Sequence, residues 1–177
     1  MTISLQENFF QLFNLPEQFK LDKQQLDSAY RTLQAQVHPD RYTTSPDGER
    51  RLALQWATLV NEAYVTLKQP LKRADYLCKL KGTDVERISN AESSTEFLMQ
   101  QLNWRETLAE AQAQHDQTAL SNLYETMAGE RTAQFVQLEQ ALDQQHDTLC
   151  AARILRKLMF IEKFSEELEN TLEALRN

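Results

Sequence analysis

The chain has 177 residues, 41% of them apolar, enough to bury a core as one large domain or two small ones. Its 3 glycines and 4 prolines, every proline at or before Pro70, are too few turn formers for a sheet-rich fold and point to an all-helical one. Residues 1–92 balance 12 Lys/Arg against 12 Asp/Glu, whereas residues 93–177 set 7 against 14 and hold the whole net charge of −7, which argues against nucleic acid as a partner.

Taken in order, Asn8 to Leu12 predicts a short helix, stopped before Pro16. Asp22 reads as an N-cap, with Gln25 three residues on in capping-box register. Behind it Leu26, Ala29, Tyr30, Leu33 and Val37 fall on one face of an amphipathic helix. Pro39 ends that helix, because the residue before a proline is pushed out of the helical region. The segment from His38 to Gly48 is a loop by composition. Leu52, Trp56, Leu59, Val60, Ala63, Tyr64 and Leu67 mark a second amphipathic helix, antiparallel to the first if the two apolar stripes are to bury each other. After Pro70 a shorter helix, Leu71 to Leu80, puts Ala74, Leu77 and Cys78 on one side and closes near Gly82.

Residues 83–92 are polar and read as a linker. Ser93 with Glu96 is a second capping-box pair, and from there only Gly129 interrupts the helix formers. Three long helices are predicted, about 94–115, 117–144 and 147–175, with Asp116 and Asp147 as N-caps. Leu120, Leu123, Met127, Gln134, Leu138 and Leu142 run at near-heptad spacing through the second, so a three-helix bundle is expected. His115 and His146 lie near helix ends, where capping or solvent exposure accounts for them.

Cys78 and Cys150 form no C-x-x-C pair, which suggests a reducing compartment and no structural zinc. The N-terminal segment has neither the basic-then-apolar order of a secretory signal nor the Arg-rich character of a transit peptide. No apolar run approaches the roughly 18 residues of a membrane span. A cytoplasmic protein without a membrane partner is expected.

His38-Pro39-Asp40 sits between two antiparallel amphipathic helices, and here the chain resembles the J-domains, four-helix modules whose His-Pro-Asp loop stimulates ATP hydrolysis by DnaK-type chaperones. The likeness includes the aromatic-rich start at Phe9, Phe10, Leu12, Phe13 and Leu15, then YRTLQAQVHPDRY and NEAYVTLKQPLKRADYL, and covers about residues 8–82. Pro39 fixes its own φ, so the imidazole and carboxylate on either side project in a restricted geometry. Asp40 supplies charge for a cationic or N–H partner. J-domains add a basic face on the helix before the loop; here that helix offers Lys23 and Arg31, with Arg41 just past the tripeptide and with Gln34 and Gln36 where further cations are usual. The resemblance implies chaperone binding through His38, Pro39, Asp40, Arg31 and Arg41.

The C-terminal half is similar to that of the HscB family of J-proteins, through TEFLMQQLNWRE (Thr95 to Glu106) and ILRKLMFIEKF (Ile154 to Phe164). The wheel can be read independently. At roughly 100° per residue, Phe97, Gln101, Trp104, Leu108 and Ala111 share a core stripe. Leu98, Met99 and Leu102 lie roughly 100–200° around from Phe97. In the last helix Ile154, Leu158, Ile161, Leu168 and Leu172 form the core stripe, and Phe160 sits roughly 110° from its centre. Four apolar side chains are thus surplus to a simple core, and contiguous exposed apolar groups mark binding surfaces. In the HscB family the matching positions bind the iron–sulfur scaffold protein IscU, with acidic residues beside them; Glu106 and Glu96 fit, while Asn103 stands where a carboxylate is expected.

The sequence therefore predicts an all-α adaptor: a J-domain helical hairpin over residues 1–82, a linker over 83–92, and a C-terminal three-helix scaffold-binding domain over 93–177. The resemblance implies an HscA-type DnaK-family chaperone and IscU as partners. Scaffold binding falls to Leu98, Met99, Leu102, Glu106 and Phe160. No cofactor, metal or catalytic residue is expected, and monomer is the default state. Two rivals are a general J-protein for misfolded clients and a metal-binding or catalytic protein using His38 and the other histidines, His115 and His146. The first lacks a glycine-rich linker and zinc repeats, and the second lacks a nucleophile or Gly-rich loop placed by sequence.

Overall fold

The computed structural model describes residues 7–87 and 95–176, and among these there are seven α-helices and no strand. The fold is all-α, as the turn-poor composition requires. It divides into two compact units, Met1–Leu77 and Cys78–Asn177. The expected linker falls partly, and the Ser93–Glu96 capping box falls through Ser93, outside the described residues.

In the first unit, α1 (Phe9–Leu12) is held by an Asn8 capping box: Asn8 Oδ1 accepts from the Phe10 and Gln11 amides, and Gln11 Oε1 accepts from Asn8 N–H. Helix α2 (Lys23–Val37) starts on the Asp22 carboxylate, which accepts from the Gln24 and Gln25 amides; such a cap is worth about 1 kcal/mol. Helix α3 (Asp47–Lys68) packs on α2. The hairpin is antiparallel, since Asp27 meets Tyr64 and Lys68 while Tyr30 meets Asn61 and Tyr64. The Tyr30 and Tyr64 rings stack at 3.9 Å.

The buried face of α3 differs in phase from the expected stripe. Ala53, Val60, Ala63 and Leu67 are buried, whereas Leu52 is 44% exposed and Trp56 only half-buried. Leu52 lies roughly 100° around the wheel from Ala53, so only one of the two can face α2. Trp56 is thus at the border of the core and not within it.

Helix α4 (Pro70–Leu80) carries Arg73, which is buried, with its Nε donating to Phe19 O at 2.9 Å and its Nη1 donating to Leu67 O. Its guanidinium also lies 5.0 Å from the Phe19 ring centre. The cation thereby satisfies a terminal carbonyl of α3 that has no helical partner. Helix α4 ends in a Schellman arrangement. Gly82 adopts φ +81°, its N–H donates to Lys79 O, and Thr83 N–H donates to Cys78 O.

In the second unit, α5 (Thr95–Gln114), α6 (Gln117–Glu139, extended by a π-turn over Gln140–Gln145) and α7 (Thr148–Arg176) form the bundle. Asp116 and Asp147 cap α6 and α7 as expected, accepting from the Ala119 and Cys150 amides. His115 and His146 occupy left-handed backbone at the ends of α5 and the π-turn, φ 54° and 55°. Helix α6 runs antiparallel to α7, with Arg131 on Glu162 and Tyr124 on Glu169. Helix α5 runs parallel to α7, with Phe97 on Phe160 and Gln112 on Thr171. The core joins Phe97, Trp104, Leu108 and Ala111 to Leu120, Leu123 and Met127 and to Ile161, Phe164 and Leu168. Leu155, fully buried on α7, is a core member the sequence reading omitted. Among the described residues no helix is long and apolar enough to cross a membrane.

Candidate functional site

Two surfaces carry the expected site residues, one in each unit. The first is the turn after α2. Helix α2 stops at Val37, and Pro39–Tyr42 form a single 3-10 turn. Side chains take over the carbonyls that the turn leaves without backbone donors. Ala35 C=O needs a donor at position 39, where proline has none. Arg41 Nη1 supplies one at 3.1 Å. Gln36 C=O needs the Asp40 amide, but that N–H is turned toward His38 Nδ1 at 3.3 Å. The Tyr42 hydroxyl donates to Gln36 O instead, at 3.3 Å. Thr43 Oγ1 donates to Asp40 O, and Arg41 N–H to His38 O, closing the turn on itself.

This leaves the side chains of His38 and Asp40 at the surface, 45% and 84% exposed, with Nδ1 and Oδ2 3.6 Å apart. A neutral His38 that accepts the Asp40 amide at Nδ1 carries its proton on Nε2. The Asp40 carboxylate is an outward acceptor on a fixed frame, suited to a cationic or N–H partner. Arg31 is exposed on α2. Arg41 has a role the sequence did not disclose, since its guanidinium also caps α2. Beside Asp40, an open hollow of about 490 Å³ is lined by Thr43, Asp47, Arg50, Arg51 and Leu54. Leu54 is 59% exposed, an apolar residue off the α3 stripe that wheel geometry could have flagged.

The second surface is on α5 and α7. Leu98, Met99 and Leu102 are 42%, 66% and 60% exposed, so the structure leaves all three outside the core. Glu106 and Glu96 are exposed on the same helix. Phe160 corrects the expectation of a surplus side chain. It is half-buried, its ring stacked 5.8 Å from Phe164 and 6.4 Å from Trp104 and set edge-on to Phe97 at 5.9 Å. At the border of the stripe, an aromatic ring is long enough to reach the core with one edge. Sequence reasoning missed Met159, which is 53% exposed. It also missed the groove of about 380 Å³ that Met159 lines with Phe97, Leu98, Gln101, Arg156, Phe160 and Lys163.

A His-Pro-Asp turn with its histidine and aspartate side chains exposed, on an antiparallel helical hairpin, marks a J-domain co-chaperone, a class that acts through a partner and is not an enzyme family. The DnaJ domain model matches residues 8–76, and the model described as the HSCB C-terminal oligomerisation domain matches residues 93–169. The chain is 45% identical to the co-chaperone protein HscB homolog of Aromatoleum aromaticum over 99% of each chain. It is 47% identical to that of Paraburkholderia phymatum over 98% of this chain and 99% of the relative. Among solved structures it resembles chaperone HscB from Vibrio cholerae, with a TM-score of 0.81 and 38% identity over 96% of this chain and 99% of that one. The human co-chaperone HscB gives a TM-score of 0.85 at 28% identity, over 94% of this chain and 82% of that one. The chain belongs to the HscB co-chaperone family.

Proposed function

We propose that this protein is a co-chaperone of iron–sulfur cluster biogenesis that stimulates the ATPase of an HscA-type chaperone of the DnaK family and delivers the scaffold protein IscU to it. Residues 1–82 act as the J-domain, 83–92 as the linker and 93–177 as the scaffold-binding domain. His38, Pro39 and Asp40, with Arg31 and Arg41, engage the chaperone. Leu98, Met99, Leu102, Glu106 and Phe160 engage the scaffold. The observation that carries this reading is the row of exposed apolar side chains on α5, in a chain that also presents the His-Pro-Asp turn. A soluble bundle keeps such a row at the surface to cover it with a partner. Holding both proteins at once raises the effective concentration of scaffold at the chaperone's peptide site. The protein acts in the cytoplasm as a monomer, a state that mass measurement in solution checks directly.

Single-turnover ATP hydrolysis by the chaperone tests the reading, with the chaperone alone, with this protein, with IscU and with both. Synergy between the two that disappears in Asp40→Asn is the expected result. Stimulation indifferent to IscU would instead favour a general J-protein for misfolded clients, and no stimulation would overturn the chaperone assignment.

A further inference from the structure

The C-terminal unit is acidic, yet its few cations are not scattered. Of the 7 Lys/Arg in residues 93–177, four surround one groove: Arg105, Arg156, Lys157 and Lys163. Arg156 and Lys163 line it, and with Met159 and Phe160 they fall at i, i+3, i+4 and i+7 on the outer lip of α7. The Arg105 guanidinium lies 5.9 Å from the Phe160 ring centre, and Lys157 Nζ 5.3 Å from that of Phe97. Arg131, outside this cluster, is paired with Glu162 at 2.6 Å. By contrast, among the described residues no carboxylate lies within ion-pair distance of Arg105, Lys157 or Lys163.

The α5 wheel gives the patch a direction. Measured from Phe97, Arg105 lies roughly 80° around, Leu98 and Leu102 roughly 100° and 140°, and Glu106 and Glu110 roughly 180° and 220°. The apolar ridge thus separates a cationic side, facing α7, from an acidic side facing away. A partner that covers only the ridge has no use for the cations; a partner whose carboxylates flank an apolar side chain can pair with Arg105, Lys157 and Lys163. Opposite charges placed on the two sides of a ridge also fix the orientation of docking.

Resting on the scaffold-binding reading, we propose that the α5–α7 groove is part of the same surface and takes an apolar side chain flanked by carboxylates. The scaffold protein then meets this domain through an acidic–apolar segment on the α7 side. Arg156, Lys157 and Lys163 are its specificity-determining residues, and Met159 and Phe160 supply apolar lining.

The test is calorimetric binding of IscU to the full chain at low and moderate salt. It compares wild type with the triple variant Arg156→Gln, Lys157→Gln and Lys163→Gln, with Lys163→Glu alone, and with a control of equal net charge, Lys20→Gln, Lys72→Gln and Lys81→Gln. The groove triple is expected to weaken binding about tenfold at low salt and to flatten the salt dependence, leaving the control near wild type. Lys163→Glu, which leaves the aromatic contacts of Lys157 intact, is expected to weaken binding about fivefold. Wild-type affinity and salt dependence in both groove variants would overturn the proposal, as would equal losses in the control. If wild type itself binds no IscU, the scaffold reading falls. The groove is then decided by a fluorescent probe peptide with Leu and Phe between Asp and Glu residues, against its Lys/Arg counterpart. Preference for the acidic probe that is lost in the triple variant upholds the groove chemistry, and no preference ends it.

Discussion

Replacing Leu98, Met99 and Leu102 together by alanine separates a binding surface from a badly packed core. Full burial of one such side chain is worth about 1.5–3 kcal/mol. The three are 42%, 66% and 60% exposed, so about half of that value is unclaimed in the free protein and open to a partner. Each contributes about 1 kcal/mol or slightly more to a complex that covers it, and the triple variant is expected to lose about 3–4 kcal/mol of binding. That is a rise in Kd of about 10²–10³-fold for IscU, read by calorimetry. Alanine is the best helix former and the three parent side chains are together about half exposed, so the melting temperature is expected to move by only a few degrees. Unchanged affinity would refute the assignment of these residues. A fall in melting temperature of ten degrees or more would show that the row supports the bundle.

Arg73→Met leaves Phe19 O and Leu67 O without their buried cationic donor; a loss of about 2–4 kcal/mol from the first unit is expected in urea unfolding. Gly82→Ala meets no atom within 4 Å but forces alanine to φ +81°, at a cost of about 1 kcal/mol. Gly129→Ala, equally unobstructed in the interior of α6, is expected to stabilise by about 0.5–1 kcal/mol; differential melting of the pair checks both signs. Burial raises the Tyr76 phenol above its ordinary value of 10.0 against the opposing hydrogen bond from Phe9 N–H. A raised phenol favours the folded state while protonated. Its contribution is complete below pH about 10 and is lost as the pH climbs through the higher folded value. Alkaline unfolding of the first unit is therefore expected to begin later in Tyr76→Phe, apart from the cost of the lost Phe9 bond, and far-UV dichroism against pH reads it.

The helices, their caps and most of the core were legible because each rests on local chemistry. Asp22, Asp116 and Asp147 cap helices by the rule that singled them out, and the α6 stripe from Leu120 to Leu142 is buried throughout. The residues that carry the J-domain likeness have physical roles that a motif alone does not reveal: Tyr64 stacks on Tyr30, Arg73 holds two carbonyls, and Tyr76 stacks on Phe9. Wheel geometry placed Leu98, Met99 and Leu102 correctly outside the core. It misjudged Leu52 and Phe160, because a residue at the border of a stripe is decided by side-chain length and by what the neighbouring helix offers. It was blind to the groove, since Arg156, Met159 and Lys163 acquire meaning only once α5 lies beside them.

The turn that carries His38 and Asp40 is built before any partner arrives, because Arg41 and Tyr42 hold the carbonyls that Pro39 and the diverted Asp40 amide leave open. A loop that is already ordered gives up little conformational freedom on docking. Modest contact area then suffices for recognition, and the same small area lets the complex come apart quickly. In the co-chaperone role proposed above, such a contact suits repeated binding and release better than tenacious grip.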